Sequence, residues 1–329
     1  MFETGIHVWL QSIRSDLLAA LLTGVSLLGY VPTYAVLIIA FVFGVRLAPG
    51  MAVLGAVVLT EVVTETAKEV VAFPRPDQVD DRLMRTYASG DVIVSRGGAP
   101  TFWSLPTREA IEKVRASKRG NYGFPSGHVS AATAFLVCTA WFMRARWLYG
   151  LTLVWIPLMG LSRMYLGRHF LADVLGGLVI ALVVSATWIR WLPAQDPVDT
   201  GPEGRRLVRR LWFVALGLLA LTPWWNSLPP AYVGAVTGLA LSYSLIVKTG
   251  SPRDGGTSGQ RAARIAIALT LFAVTLGIMA LAFGVEGASR WSLVFSGAVV
   301  TASTFAGTIL LSRRLGLFEA VTPQALPSA

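Results

Sequence analysis

Three short blocks of the chain carry residues that could handle a phosphate. The first is Lys68 followed by Arg75-Pro76. The second is Pro125-Ser126-Gly127-His128, and the third runs from Ser162-Arg163 through His169 to Asp173. A phosphoryl group in transit spreads negative charge over its equatorial oxygens, so its catalysis is mostly positioning and electrostatic stabilisation. Arginine offers such oxygens a bidentate fork, and lysine a point charge. A proline followed by small residues at a helix start leaves free backbone N–H groups there, and the helix dipole adds its attraction for anions. His128 opens that helix and can protonate a leaving oxygen near neutral pH. Asp173 stands four residues after His169, on the same helical face. A carboxylate behind an imidazole fixes the tautomer, which makes the other ring nitrogen a credible nucleophile.

Each block has a plainer reading when taken alone. Residues 125–128 could be no more than a capped helix start, and Asp173 a solvated carboxylate beside a helix-start His169. Lys68 could snorkel, and Arg75 and Arg163 could anchor to lipid headgroups. A metal-assisted route finds no support: the chain has three histidines and no ligand cluster of the His-Glu-x-x-His kind. The cations already present do that electrostatic work, and no metal or cofactor is expected.

The elements that must position these blocks are apolar helices. Of 329 residues, 54% are hydrophobic and 14% charged, against about 25% charged in soluble domains. Mean hydropathy is +0.61. This is the composition of a multi-span helical membrane protein. The net charge of +10 does not point to nucleic acid, because the arginines lie in short loops between apolar runs. The single cysteine, Cys138, sits inside an apolar run and reads as a small core residue, so no intrachain disulfide forms. No removable signal peptide is expected.

In chain order, Met1–Arg14 reads as an interfacial amphipathic helix, with Phe2, Ile6, Trp9, Leu10 and Ile13 on one face and His7 at the surface or interface. Six spans follow: Asp16–Leu28, Val31–Val45, Met51–Phe73, Val129–Phe142, Trp147–Leu166 and Phe170–Trp191. Four more are Leu207–Trp224, Ala231–Val247, Ile265–Phe283 and Trp291–Leu311, which makes about ten. The third span carries Glu61, Glu65, Lys68 and Glu69, and Glu65 and Lys68 are spaced to pair. The one long polar stretch, 74–124, contains a helical segment at Pro106–Lys118 and is expected to flank or cover the functional site. The expected organisation is a six-span core over 1–191, a cytoplasmic linker over 192–206 and a transmembrane extension over 207–314.

Loops of alternating helices alternate sides. One side collects Arg14, Arg46, Arg144, Arg146, Arg190, the group Arg205–Arg210, Lys248, Arg253, Arg261, Arg264, Arg313 and Arg314. The short loops of the other side hold almost no cations, so the first side is cytoplasmic by the positive-inside rule. Both termini then lie in the cytoplasm. Counting spans puts all three motif blocks on the opposite, outer face.

Lys68-x6-Arg75-Pro76, Pro125-Ser126-Gly127-His128 and Ser162-Arg163-x5-His169-x3-Asp173 together resemble the three-part signature of the type 2 phosphatidic acid phosphatase superfamily. Every specified position is filled in order, and Ser162-Arg163-Met164-Tyr165-Leu166-Gly167 also looks like the family's usual filling. The resemblance covers roughly Met1–Trp191. It implies an all-α integral membrane bundle and a metal-independent phosphatase in the cell membrane that works through a phosphohistidine at His169. It further implies His128 as acid, Asp173 as orienting carboxylate, and phosphate held by Lys68, Arg75, Ser126, Gly127 and Arg163. Typical substrates of such membrane enzymes are phosphatidic acid, phosphatidylglycerol phosphate, undecaprenyl diphosphate and lipid A phosphates. Extra spans after the core also resemble the glucose-6-phosphatase branch, so a soluble sugar phosphate stays open as substrate. A phosphotransferase and a non-catalytic lipid transporter or scaffold stay open as alternatives, and oligomeric state is not legible.

Overall fold

A computed structural model describes residues 1–84, 92–117, 122–193, 200–252, 254–284 and 288–318. Parts of the long loop and of the linker, together with Arg253, lie outside the described residues. Among the described residues the chain is all-helical and forms two compact units.

The first unit comprises Met1–Ala35, Ala56–Ile189 and Trp224–Pro229. It opens with α1 (Gly5–Ser12) and α2 (Asp16–Leu27), the latter capped by Ser15, whose side chain accepts from the Leu18 N–H. The helix α3 (Val31–Ala40) begins here. The long α4 (Leu47–Val71) ends in this unit and is followed by the single turn α5 (Pro76–Val79). The segment expected at Pro106–Lys118 is α6 (Arg108–Ser117), whose exposed face carries Arg108–Glu112 and Glu109–Lys113 pairs at helical spacing. Then come α7 (Gly127–Met143), α8 (Arg146–Tyr165) and α9 (Leu171–Trp191). Cys138 is fully buried, as a small core residue should be.

The second unit comprises Val36–Gly55, Arg190–Pro223 and Pro230–Ala329. It holds α10 (Pro202–Leu221), α11 (Pro230–Thr249), α12 (Ser258–Phe283), α13 (Arg290–Ala302), a π-helical turn at Ser303–Gly307, and α14 (Thr308–Arg314). Small residues let α11 and α13 pack backbone to backbone: Gly234 lies against the Val294 carbonyl and Gly297 against that of Ala231. Asp254 caps the start of α4, accepting from the Leu47 N–H at 2.7 Å.

Among the described residues, five helices are long and apolar enough to cross a membrane: Leu47–Val79, Leu171–Trp191, Pro230–Thr249, Ser258–Phe283 and Arg290–Arg314. The pair Asp16–Leu27 and Val31–Val45, bent by 61°, makes a sixth if counted as one span. The ten expected spans outnumber these for local reasons. The first two form that bent pair. The fourth is the short apolar helix α7, of 17 residues, and the fifth is α8, whose apolar run is diluted by Arg146, Arg163 and its tyrosines and tryptophans. In α10 four arginines fill Arg205–Arg210, which leaves only Leu211–Leu221 continuously apolar.

One expectation about the N-terminus is corrected. His7 is not a surface residue; it has no exposed area. The proposed apolar face also splits. Phe2 and Leu10 are buried, while Ile6, Trp9 and Ile13 are exposed. The reason is that α1 packs against the end of α8 and the connection that follows it: Gln11 Nε2 donates to the Tyr165 carbonyl at 3.0 Å, and His7 Nε2 lies 2.9 Å from the His169 carbonyl.

Candidate active site

The first unit brings ends of four of its helices to one place. Lys68 lies in the last turn of α4 and is paired with Glu65 one turn earlier. The chain then turns at Pro74, and Arg75 is buried where α5 starts. Its Nε donates to the Tyr122 carbonyl at 3.2 Å, and the neighbouring Gly123 N–H donates to the Phe73 carbonyl at 2.8 Å. The far end of the long loop is thereby fixed beside the end of α4.

The segment Ser126-Gly127-His128 starts α7. Ser126 takes the N-cap position, but its side chain makes no cap hydrogen bond. Its hydroxyl is buried without a hydrogen-bond partner among the described residues, so the start of α7 is not simply a capped helix end. The first N–H groups of any helix lack internal acceptors. The Ser126 N–H itself donates to the Asp173 backbone carbonyl at 2.9 Å, which ties the turn to α9. A side chain added at Gly127 would stand 3.5 Å from both Glu65 Oε1 and Lys68 Nζ, so Lys68 abuts this turn. His128 packs its ring edge-on against Tyr30, centroids 4.7 Å apart, and its Nε2 has no partner among the described residues.

Arg163 is buried in the last turn of α8, where its Nη1 donates to Ser26 Oγ on α2. His169 lies in the connection between α8 and α9 and is 2% exposed. Its Nδ1 is 2.9 Å from the Gly123 carbonyl and 3.4 Å from Asp173 Oδ2. A carbonyl only accepts, so Nδ1 carries the proton and the lone pair sits on Nε2. Asp173 Oδ2 in turn accepts the Phe170 N–H at 2.8 Å. Burial, reinforced by Arg163, Arg75 and Lys68, holds His169 well below the usual imidazole range. The ring is therefore neutral at pH 7.

All eight residues singled out from the sequence thus lie within the first unit at these helix ends. Four groups that bear on them carried no signal: the Gly123 carbonyl, Ser26, Tyr30 and His7, whose Nε2 lies 2.9 Å from the His169 carbonyl. Arg168, 3.4 Å from Asp77 Oδ2, adds a further cation beside Arg75. Among the described residues no group of three or more His, Cys, Asp or Glu could hold a metal ion.

Residues 49–197 match the PAP2 superfamily. Among curated proteins, sphingosine-1-phosphate phosphatase 1 of Rattus norvegicus is 29% identical over 103 residues, 30% of this chain and 23% of that protein. Phosphatidylglycerophosphatase B of Bacillus subtilis (strain 168) is 33% identical over 91 residues, 23% of this chain and 45% of that protein. Lipid A 4'-phosphatase of Porphyromonas gingivalis is 28% identical over 116 residues, 32% of this chain and 48% of that protein. The chain therefore spans less than half the length of each of these relatives. No solved structure matches it.

Proposed function

From the PAP2 superfamily domain that this chain carries over residues 49–197, we propose an integral-membrane phosphatase that removes phosphate from a lipid phosphate through a phosphohistidine at His169. The observation that carries the reading is the state of that histidine. It is neutral, its proton is committed to the Gly123 carbonyl through Nδ1, and its Nε2 lone pair is available among Lys68, Arg75 and Arg163. A cluster of cations around a neutral nucleophile attracts an anion, and a phosphate monoester supplies one.

In the proposed reaction, Nε2 of His169 attacks phosphorus as the bond to the leaving oxygen breaks. Lys68, Arg75 and Arg163 neutralise the equatorial oxygens, with the Ser126 hydroxyl and the first N–H groups of α7 completing the cradle. His128 gives its proton to the leaving alkoxide. Asp173, close to Nδ1, stabilises the positive charge that the ring gains. Water then attacks the phosphohistidine, His128 takes a proton from it, and inorganic phosphate leaves with Nε2 restored. No step calls for a metal.

The relatives' names point to lipid monoesters, since they act on sphingosine 1-phosphate, phosphatidylglycerophosphate and lipid A. We place the site at the outer face because, on the ten-span reading of the sequence, the cationic short loops fall on the side opposite the three motif blocks. The core over 1–191 performs the chemistry, with 207–314 as an added membrane scaffold. The test is phosphate release by the purified protein in detergent with EDTA present. Sphingosine 1-phosphate, phosphatidic acid, undecaprenyl diphosphate and glucose 6-phosphate are offered side by side. Turnover of lipid phosphates is expected. Turnover of glucose 6-phosphate alone would replace the lipid reading with a sugar-phosphate one, and a need for divalent metal would overturn the mechanism.

A further inference from the structure

The third histidine of the chain has no part in the reaction above, yet it is the most buried of the three. It reaches the nucleophile's own residue from a helix 162 positions away in sequence. His7 Nε2 lies 2.9 Å from the His169 carbonyl, and since a carbonyl only accepts, His7 donates. The His7 ring also meets Phe170 edge-on, with centroids 5.5 Å apart at 84°. His169 is thus held at two points: its ring by the Gly123 carbonyl and its backbone by His7. The other side of the same peptide is held as well, by the Phe170 N–H donating to Asp173 Oδ2 at 2.8 Å, so the carbonyl held by His7 belongs to a peptide fixed from both faces in the connection between two helices.

The segment around His7 is itself tied down at both ends. The Phe2 carbonyl accepts from the Ala99 N–H at 2.9 Å. Gln11 accepts from the Met84 N–H at 2.8 Å through Oε1 and donates to the Tyr165 carbonyl through Nε2. Residues 1–11 therefore form a strap held by the long loop at both ends, at Ala99 and at Met84, and by the last residue of α8, with His7 between these ties. A misplacement of the attacking atom by a fraction of an ångström weakens a displacement reaction far more than it weakens binding of the phosphate.

We infer that His7 is a positioning residue for the phosphoryl-transfer reaction: by donating to the His169 carbonyl it sets the aim of His169 Nε2 at phosphorus. The inference rests on the proposed phosphohistidine chemistry, and its test separates the two. Wild type, His7→Phe, His7→Met and His7→Gln are compared in detergent. Phe keeps the aromatic volume and Met a flexible apolar filling, while Gln keeps a donor of similar reach. The first readout is kcat and KM on the lipid monoester that wild type turns over. The second is the affinity for orthovanadate, which bonds to an imidazole nitrogen in the five-coordinate shape of the transition state, against that for inorganic phosphate, which is held by the cations alone.

The expected result for His7→Phe and His7→Met is a kcat about tenfold lower with KM within about twofold, and a vanadate affinity about tenfold weaker with phosphate affinity within about twofold. His7→Gln is expected to restore both. Unchanged kcat and vanadate affinity in His7→Phe and His7→Met would overturn the inference. So would a parallel loss of vanadate and phosphate binding that Gln does not rescue, since that marks a packing role. If wild type releases phosphate from no substrate, the proposed function fails, and the vanadate arm still decides the role of His7.

Discussion

At the scale of single residues, the site is defined by what each charged group is tied to. Arg163 is directed by Ser26 Oγ, and a lysine there would keep the charge but lose the planar fork. Arg163→Lys is expected to lower kcat/KM for the lipid substrate by about a hundredfold, the worth of two charge-assisted hydrogen bonds. Steady-state phosphate release measures it. The buried, neutral His169 also makes a prediction about stability. Its pKa in the folded empty site lies below its unfolded value of about 6.5, with burial the main cause. Below that pH the unfolded chain gains a proton that the folded chain does not. Stability therefore falls on acidification, by up to about 1.4 kcal/mol per pH unit. Melting curves at pH 7 and pH 5 without phosphate should show a smaller drop for His169→Gln than for wild type. Parallel drops would mean that His169 is not held neutral.

These residues differ in how far the sequence reveals them. His169 and Asp173 are four apart across the start of α9, so their closeness in sequence already pointed to a pair, although His169 itself lies in the connection before the helix. Glu65 and Lys68 pair for the same local reason. Gly123 acts through a backbone carbonyl and leaves no side-chain trace. His7, read from its sequence neighbours as a surface or interface residue, is buried by an α1 orientation that no local pattern fixes.

At the scale of elements, the chemistry depends on loop ends pressed against helix ends. Gly123 makes one of these close contacts. A methyl group there would stand 2.7 Å from the Pro74 carbonyl oxygen and 2.9 Å from Asp173 Oδ2. Neither is a flexible end, so the Gly123 carbonyl would have to shift away from His169 Nδ1. Gly123→Ala is expected to reduce kcat at least tenfold while leaving the folded yield measurable by size-exclusion chromatography. Full activity in that variant would show that the carbonyl does not set the tautomer. Helices were legible from their apolar runs, and α6 within the long loop from its helical composition. The breaks were less so. Residues 16–45 read as two spans, yet they fold as a pair bent by 61°, because Gly29, Tyr30 and Pro32 interrupt the helix without separating two lengths that would each cross a bilayer.

At the scale of the whole molecule, the central assignment is which side of the membrane the site faces. The single native cysteine is buried, so introduced cysteines can be read without background. Trp103 on the long loop is 81% exposed, and Arg206 at the start of α10 is also exposed. A membrane-impermeant maleimide added to intact cells is expected to label Trp103→Cys and not Arg206→Cys. The reverse pattern would place the site in the cytoplasm. The sequence carries an expectation of sidedness because charge in short loops follows it, whereas the placement of residues 207–314 as an added scaffold rests on no motif of its own.

The most direct test of the account is to trap the covalent intermediate. The purified protein is mixed with a lipid monoester labelled in its phosphate and quenched in alkali within its first turnovers. We predict a label on wild type that is stable to base and lost in acid, as a phosphohistidine is, and that maps to His169 and is absent from His169→Ala. An active His169→Ala, or a label on any other residue, would contradict it.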